Sequence, residues 1–174
     1  INNEILKVDS FINHQIDTKL LRSISKDIKA HFPEVDRLLT IETSGIAFSV
    51  GVAMEYNDCP VVFAKKTVSK IVDLSNVYTA NIKSFTRGTN TNIMVNKNYL
   101  HKGEKVLIVD DFLAEGNAAL GLISICKQAD VQIVGVAVCI EKTFQGGHKA
   151  SEDLGIKVHA LASIKEFKDN KPVF

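Results

Sequence analysis

Lys105-Val-Leu-Ile-Val-Asp-Asp-Phe-Leu-Ala-Glu-Gly-Asn-Ala118 is the stretch on which the reading of this chain turns. Lys105 to Val109 is a run rich in β-branched residues, apolar at every position after Lys105 and set behind a Lys-Gly-Glu turn. A run without polar alternation suits a central parallel strand covered on both faces. It ends in two acids, Asp110 and Asp111, followed by a small-residue loop around Gly116. A helix is predicted from about Gly116 to Gln128. That order brings carboxylates to the edge of a sheet and aims exposed amides and the positive end of a helix dipole at the same corner.

The neighbouring segments fit the same plan. Leu20, Leu21, Ile24, Ile28 and Phe32 recur at helical spacing, with Asp17 as cap and Pro33 as stop. Arg37 to Ile41 reads as a short buried strand, Glu42-Thr-Ser-Gly45 as a turn, and Ile46 to Tyr56 as a helix. Pro60 leads into a strand from Val61 to Ala64. Val131 to Ile140 reads as a second buried strand, Gly146 to Leu154 as a helix, and Lys157 to Leu161 as a last strand. Strands alternating with helices imply an α/β domain with a mostly parallel central sheet flanked by helices. Ligands in such folds bind beyond the carboxyl ends of the strands.

Residues 65–95 break the alternation. This region is polar and rich in Thr, Ser and Lys, with alternation from Val77 to Phe85, a turn at Arg87-Gly-Thr-Asn90 and a returning strand at Ile93-Met-Val95. It reads as a projecting hairpin or lid, a long connection of the kind that is usually functional.

The chain has 174 residues, too few to give two domains a core each, so residues 1–174 are expected to form one. Lys and Arg number 21 against 20 Asp and Glu, a net charge of +1, which argues against a whole-surface nucleic-acid binder. Apolar runs such as Ile133–Ile140 are far too short to cross a bilayer. No leader opens the chain, and its start at Ile1 implies further residues upstream. Cys59, Cys126 and Cys139 form no metal-ligand spacing with the histidines, so buried reduced thiols in a cytoplasmic protein are expected.

A sugar with vicinal hydroxyls and a phosphate fits the Asp-Asp loop: the acids accept hydroxyl hydrogen bonds and the amides hold the anion. Two solvated acids ahead of a capped helix would leave the same pattern. A Walker loop is excluded because no Gly-Lys-Ser/Thr follows, and the dinucleotide fingerprint and the nucleophile elbow are absent.

The segment resembles the phosphoribosyl pyrophosphate (PRPP) signature of the type I phosphoribosyltransferases. The likeness extends through Leu6-Lys-Val-Asp-Ser-Phe-Ile-Asn-His-Gln-Ile-Asp17, Ile41-Glu-Thr-Ser-Gly-Ile-Ala47, Val62-Phe-Ala-Lys-Lys66 and Ile140-Glu-Lys-Thr-Phe-Gln145. Together these resemble the xanthine-using bacterial branch of the purine phosphoribosyltransferases, over nearly the whole chain. The resemblance implies a family fold with a small hood and a lid, and a purine-salvage transferase making xanthosine 5′-monophosphate. Hypoxanthine–guanine use, or a non-catalytic PRPP-binding regulator, are the alternatives.

The resemblance also implies roles. Asp110 and Asp111 would bind the ribose hydroxyls, and Ala114, Glu115, Gly116, Asn117 and Ala118 the 5′-phosphate. Thr43, Ser44 and Gly45, in a turn where the family commonly holds a non-proline cis peptide, would bind pyrophosphate with Lys66. Apart from the resemblance, Lys65, Lys70, Lys83 and Arg87 add positive charge on or near the lid, an ordinary solvated face that an anionic substrate would make useful. Leu6, Asn13 and Lys142 would contact xanthine, Lys142 by donating to its 6-oxo group, with Phe144 stacking on the base or packing in the core. Glu115 departs from the Thr of many relatives, and Ala114 replaces an Asp that takes the base proton in some, so no general base is assigned. Mg²⁺ would arrive bound to substrate, without assigned protein ligands, and a homodimer is expected.

Overall fold

The computed structural model describes residues 6–66, 74–83, 90–169 and 171–174. Its centre is a parallel sheet of β1 (Arg37–Ile41), β2 (Val61–Ala64), β5 (Lys105–Leu113), β6 (Gln132–Lys142) and β7 (Val158–Ile164), in the order β2-β1-β5-β6-β7. Every pairing in it is parallel. β3 (Val77–Lys83) and β4 (Asn90–Asn96) form an antiparallel hairpin, and β8 (Glu166–Lys168) and β9 (Lys171–Val173) a terminal ribbon.

The unbroken run in β5 is buried on both faces, as its composition predicts. Val106 and Ile108 join one core with Leu39, Ile41, Leu122, Ile125 and Val138, completed by α3 (Asn117–Ala129) and by Ile82 and Ile93 of the hairpin. Leu107 and Val109 join the other, with Ile24, Ile28, Phe48 and Val52 of α1 (Thr18–His31) and α2 (Ser44–Met54). Asp17 caps α1 by accepting from the Lys19 and Leu20 amides at 2.9 and 3.0 Å. Asp27 of α1 also meets His159 Nε2 at 2.6 Å, tying that helix to β7.

The hairpin predicted over residues 65–95 is rooted on α3. A Cβ on Gly121 would lie 2.3 Å from Ile82, so only a glycine lets the strand sit this close to the helix. The Lys65 and Met94 backbones exchange hydrogen bonds at 2.9 and 3.0 Å, fastening the far strand to the end of β2. Lys70, Arg87 and the predicted turn at 87–89 lie outside the described residues.

Several boundaries differ from those read in the sequence. β5 continues through Asp110 and Asp111 to Leu113, because β6 offers it paired backbone as far as Glu141. β6 likewise includes Lys142, which pairs with Ile164 rather than lying past the strand. α2 starts at Ser44, within the expected turn. A π-turn at Asp9–Asn13 and the β8–β9 ribbon carry no periodic signal and were not expected; Phe11 and Phe167 pack them onto the α1–α2 core. Among the described residues no helix is long and apolar enough to cross a membrane.

Arg37 and Glu104 brace the entry to the central strands. Arg37 Nε and Nη2 donate to Glu104 at 2.8 and 2.6 Å, largely out of solvent. The Arg37 bond holds the Glu104 carboxyl below its ordinary value. Glu104→Ala is expected to lower the unfolding free energy by ~1–3 kcal/mol near pH 7. Because the folded-state value is depressed, the difference shrinks as pH falls below 4.5, which urea titrations at several pH values measure.

Candidate active site

β1 and β5 are neighbours whose connections leave in opposite directions, β1 toward β2 and β5 toward β6. The crevice between their carboxyl ends is the switch point where open α/β sheets bind ligands. Three segments of the predicted site meet there.

The first is the Glu42–Gly45 turn. The Glu42–Thr43 bond is cis, as the resemblance implied. Thr43 is exposed and Gly45 is buried. A Cβ on Gly45 would stand 2.4 Å from Thr40 Oγ1 and 2.9 Å from Asp110 Oδ1. Only a residue without a side chain lets the start of α2 press against β5 here. Glu42 Oε1 accepts the Lys66 amide at 2.5 Å and the Glu42 amide donates to Ala64, so the turn is tied to the end of β2 and to Lys66.

The second is the acid pair. Asp110 is 8% exposed, while Asp111 is half-buried. The Asp111 amide donates to Asp110 Oδ1 at 2.9 Å, and the Phe112 amide to Asp111 Oδ1 at 3.0 Å. Burial first, and then the adjacent Asp111 charge, push the Asp110 carboxyl well above its ordinary range. The Lys66 ammonium acts weakly in the other direction. The donors here are carboxylate oxygens, the hard type that Mg²⁺ takes.

The third is the loop Ala114 to Ala118. Gly116 has φ 83° and caps α3 without a side chain, so the first-turn amides are left to an outside acceptor. The exposed Glu115 carboxylate is engaged by Asn117 Nδ2 at 2.9 Å.

The residues expected to meet the purine are more dispersed. Lys142 ends β6, half-buried, with Nζ 5.8 Å from the centre of the Phe167 ring. Phe144 is 44% exposed and meets Phe167 edge-on at 6.3 Å, so it is a surface aromatic rather than a core one. Phe167 joins both residues and was missed in the sequence, where it stands alone among charged neighbours. Leu6 packs on the α1–α2 core, and Asn13 is exposed at the end of the Asp9–Asn13 turn. That turn rests on α2, the helix that begins at the Thr43–Gly45 corner.

Asp110→Asn tests the electrostatics, because the amide keeps the oxygen that accepts from Asp111. A carboxyl raised in the folded state costs stability once pH exceeds its unfolded value. The variant is expected to melt ~2–4 °C above the parent at pH 7–8, a gain of about 1 kcal/mol. The gain should vanish below the ordinary value of 3.8, as thermal melts across pH would record.

Residues 8–168 match the family described as the phosphoribosyl transferase domain. Xanthine phosphoribosyltransferase 1 of Clostridium perfringens is 49% identical over 173 residues, covering 98% of this chain and 90% of that protein. Xanthine phosphoribosyltransferase 2 of Clostridium botulinum is 44% identical over 176 residues, covering 100% and 92%. The APRTase of Giardia lamblia, solved with 9-deazaadenine, shares the fold at a TM-score of 0.76 and 21% identity, over 86% of this chain and 82% of that one. Matched by the family model over residues 8–168, nearly its whole length, this chain belongs to the phosphoribosyltransferase family.

Proposed function

We propose that the protein is a purine-salvage glycosyltransferase that joins xanthine to PRPP, forming xanthosine 5′-monophosphate and pyrophosphate. The observation that carries this reading is the meeting of the Thr43–Gly45 turn with Asp110–Asp111 beside the uncapped end of α3. The choice of xanthine draws on relatives of that name that match along nearly the whole chain.

In this reading each segment takes one part of PRPP. The amides of Ala114 to Ala118 hold the 5′-phosphate, where the small side chains allow close approach. Asp111, the more open acid, accepts from the ribose hydroxyls; Asp110 holds the Asp111 backbone in place and joins it at the sugar. Thr43, Ser44, Gly45 and Lys66 take the pyrophosphate. Leu6, Asn13 and Lys142 orient the base, and the Lys142 ammonium, which has only donors, favours a 6-oxopurine over adenine.

In the reaction, purine N9 forms a bond to C1′ as the bond from C1′ to the pyrophosphate oxygen breaks. The electron pair leaves with pyrophosphate, and the ring oxygen shares the positive charge that builds on the sugar. In this scheme Asp110 and Asp111 stabilise that charge, and Lys66 offsets the leaving group's. Mg²⁺ carried by the diphosphate and ribose hydroxyls would neutralise the leaving group further, with the carboxylate corner as its protein-side neighbour. The hairpin, rooted on α3, is suited to exclude water that would otherwise hydrolyse PRPP.

A cytoplasmic location accords with the free thiols of Cys59, Cys126 and Cys139, two of them buried. A homodimer accords with α2, which is apolar on all sides. It leaves Val50 and Met54 at 42% and 65% exposure, and Phe63 of edge strand β2 is 38% exposed. Burying these side chains against a second copy would cover the exposed face of the helix.

The assay supplies PRPP and Mg²⁺ with xanthine, guanine, hypoxanthine or adenine and separates the nucleotides formed. Xanthine is expected to give the highest kcat/KM, and Asp111→Ala to lose at least a hundredfold in turnover while staying folded. Preferred use of guanine or hypoxanthine would move the specificity, and no transfer to any base would reject the enzyme. In a separate measurement by light scattering, Met54→Lys is expected to convert a dimer to a monomer.

A further inference from the structure

The phosphate loop is backed by a second piece of backbone that carries no assigned role. The Gly147 amide donates to Ala114 O at 3.0 Å. A Cβ on Gly116 would lie 2.8 Å from Gly147 Cα, and one on Gly147 would lie 2.5 Å from Ala114 O and 2.7 Å from the Gly116 nitrogen. The two backbones are therefore in contact, and the Gly146–Gly147 turn forms the wall behind the loop.

The residue after that turn is His148, which opens the short helix α4 (Gly147–Glu152). Its Nδ1 meets Glu141 Oε2 at 2.5 Å, and its Nε2 meets Glu152 Oε1 at 3.3 Å. Glu141 stands in β6 at 4% exposure, and its other oxygen accepts the Ser163 hydroxyl of β7 at 2.6 Å. Burial alone would lower the His148 value; the bond to Glu141 and the two acids outweigh that and raise it. A carboxylate this buried persists only where its partners are held in place. Here those partners are the start of α4 on one side and β7 on the other.

We propose that Glu141 and His148 are positioning residues for the phosphate loop: their contact anchors the Gly146–Gly147 turn to the sheet, and the turn fixes the Ala114–Gly116 amides that receive the 5′-phosphate. Neither side chain touches the substrate in this scheme. Both act through Gly147, whose position sets how well the loop amides are aligned before PRPP arrives. Glu141 is also the strand neighbour of Lys142, so a single strand end would support the phosphate side and carry the base-side lysine. The inference rests on the PRPP-transfer reading above.

The test measures steady-state kinetics for each substrate, and PRPP binding by calorimetry, in wild type, His148→Ala, Glu141→Ala and Glu141→Gln. His148 is partly exposed on a short helix, so His148→Ala keeps the test intact if Glu141→Ala fails to fold. In His148→Ala the KM and Kd for PRPP are expected to rise roughly tenfold, with the KM for the purine within about twofold. Glu141→Gln is expected to recover most of the affinity, since an amide still accepts from Ser163 and donates to an unprotonated His148. Unchanged PRPP affinity in folded His148→Ala, or equal losses for both substrates, would overturn the positioning role while leaving the transferase intact. A wild type without PRPP turnover would overturn both.

Discussion

The site depends on one steric constraint: the start of α2 must touch β5. Gly45 meets Thr40 and Asp110 at distances that no side chain could share. Remove that approach and the turn after β1 no longer faces the acids at the end of β5. The constraint is cheap because the two strands are already paired, Leu38 with Leu107 and Leu39 with Ile108. The sheet sets the coarse distance between the two segments, and a single missing Cβ sets the fine one. The loop behind α3 repeats this device, with Gly116 and Gly147 in mutual contact and Gly147 closed against Ala114 O. At both places a side chain would collide with the neighbouring segment, so a glycine sets how closely the two segments approach.

The same corner holds a deliberate electrical imbalance. Asp110 is buried beside another acid, with Lys66 as an offsetting charge. Glu141, at the end of the next strand, is buried too, yet it is paired with His148 and Ser163. The contrast separates two uses of a buried carboxylate. One is left with burial and a like charge only partly offset. The other is satisfied internally and serves to fix a neighbour.

What the sequence disclosed follows from which signals a hydrophobic pattern can carry. Lys105 to Val109 was readable as a central strand because burial on both faces removes polar residues from it. Asp110 to Leu113 was not readable as strand, since the pairing there is set by the length of β6 and not by apolar side chains. Lys142 was misplaced for the same reason. The Asp-Asp loop stood out because two acids before a glycine and a helix are chemically unusual. Glu141 was visible only as part of a quoted segment. Its burial rests on His148 and Ser163, 7 and 22 residues further on, and a local period cannot report such partners. Phe167 escaped likewise: a lone aromatic among Glu, Lys and Asp gives no periodicity, and its neighbours Lys142 and Phe144 become adjacent only when β8 folds back.

These separate features converge on strand β6. It pairs with β5, so it fixes the height of Asp110 and Asp111 in the crevice. It bears Glu141, which reaches the turn behind the phosphate loop, and it ends in Lys142 beside Phe167. A buried apolar strand such as this one is among the least deformable parts of an α/β core. Placing all three on it means that the acid pair, the Ala114–Ala118 loop and Lys142 are referred to one rigid element rather than to three independent loops. The reacting groups of a two-substrate transfer need that common reference, because alignment of the sugar carbon with the incoming nitrogen is lost by shifts of about 1 Å.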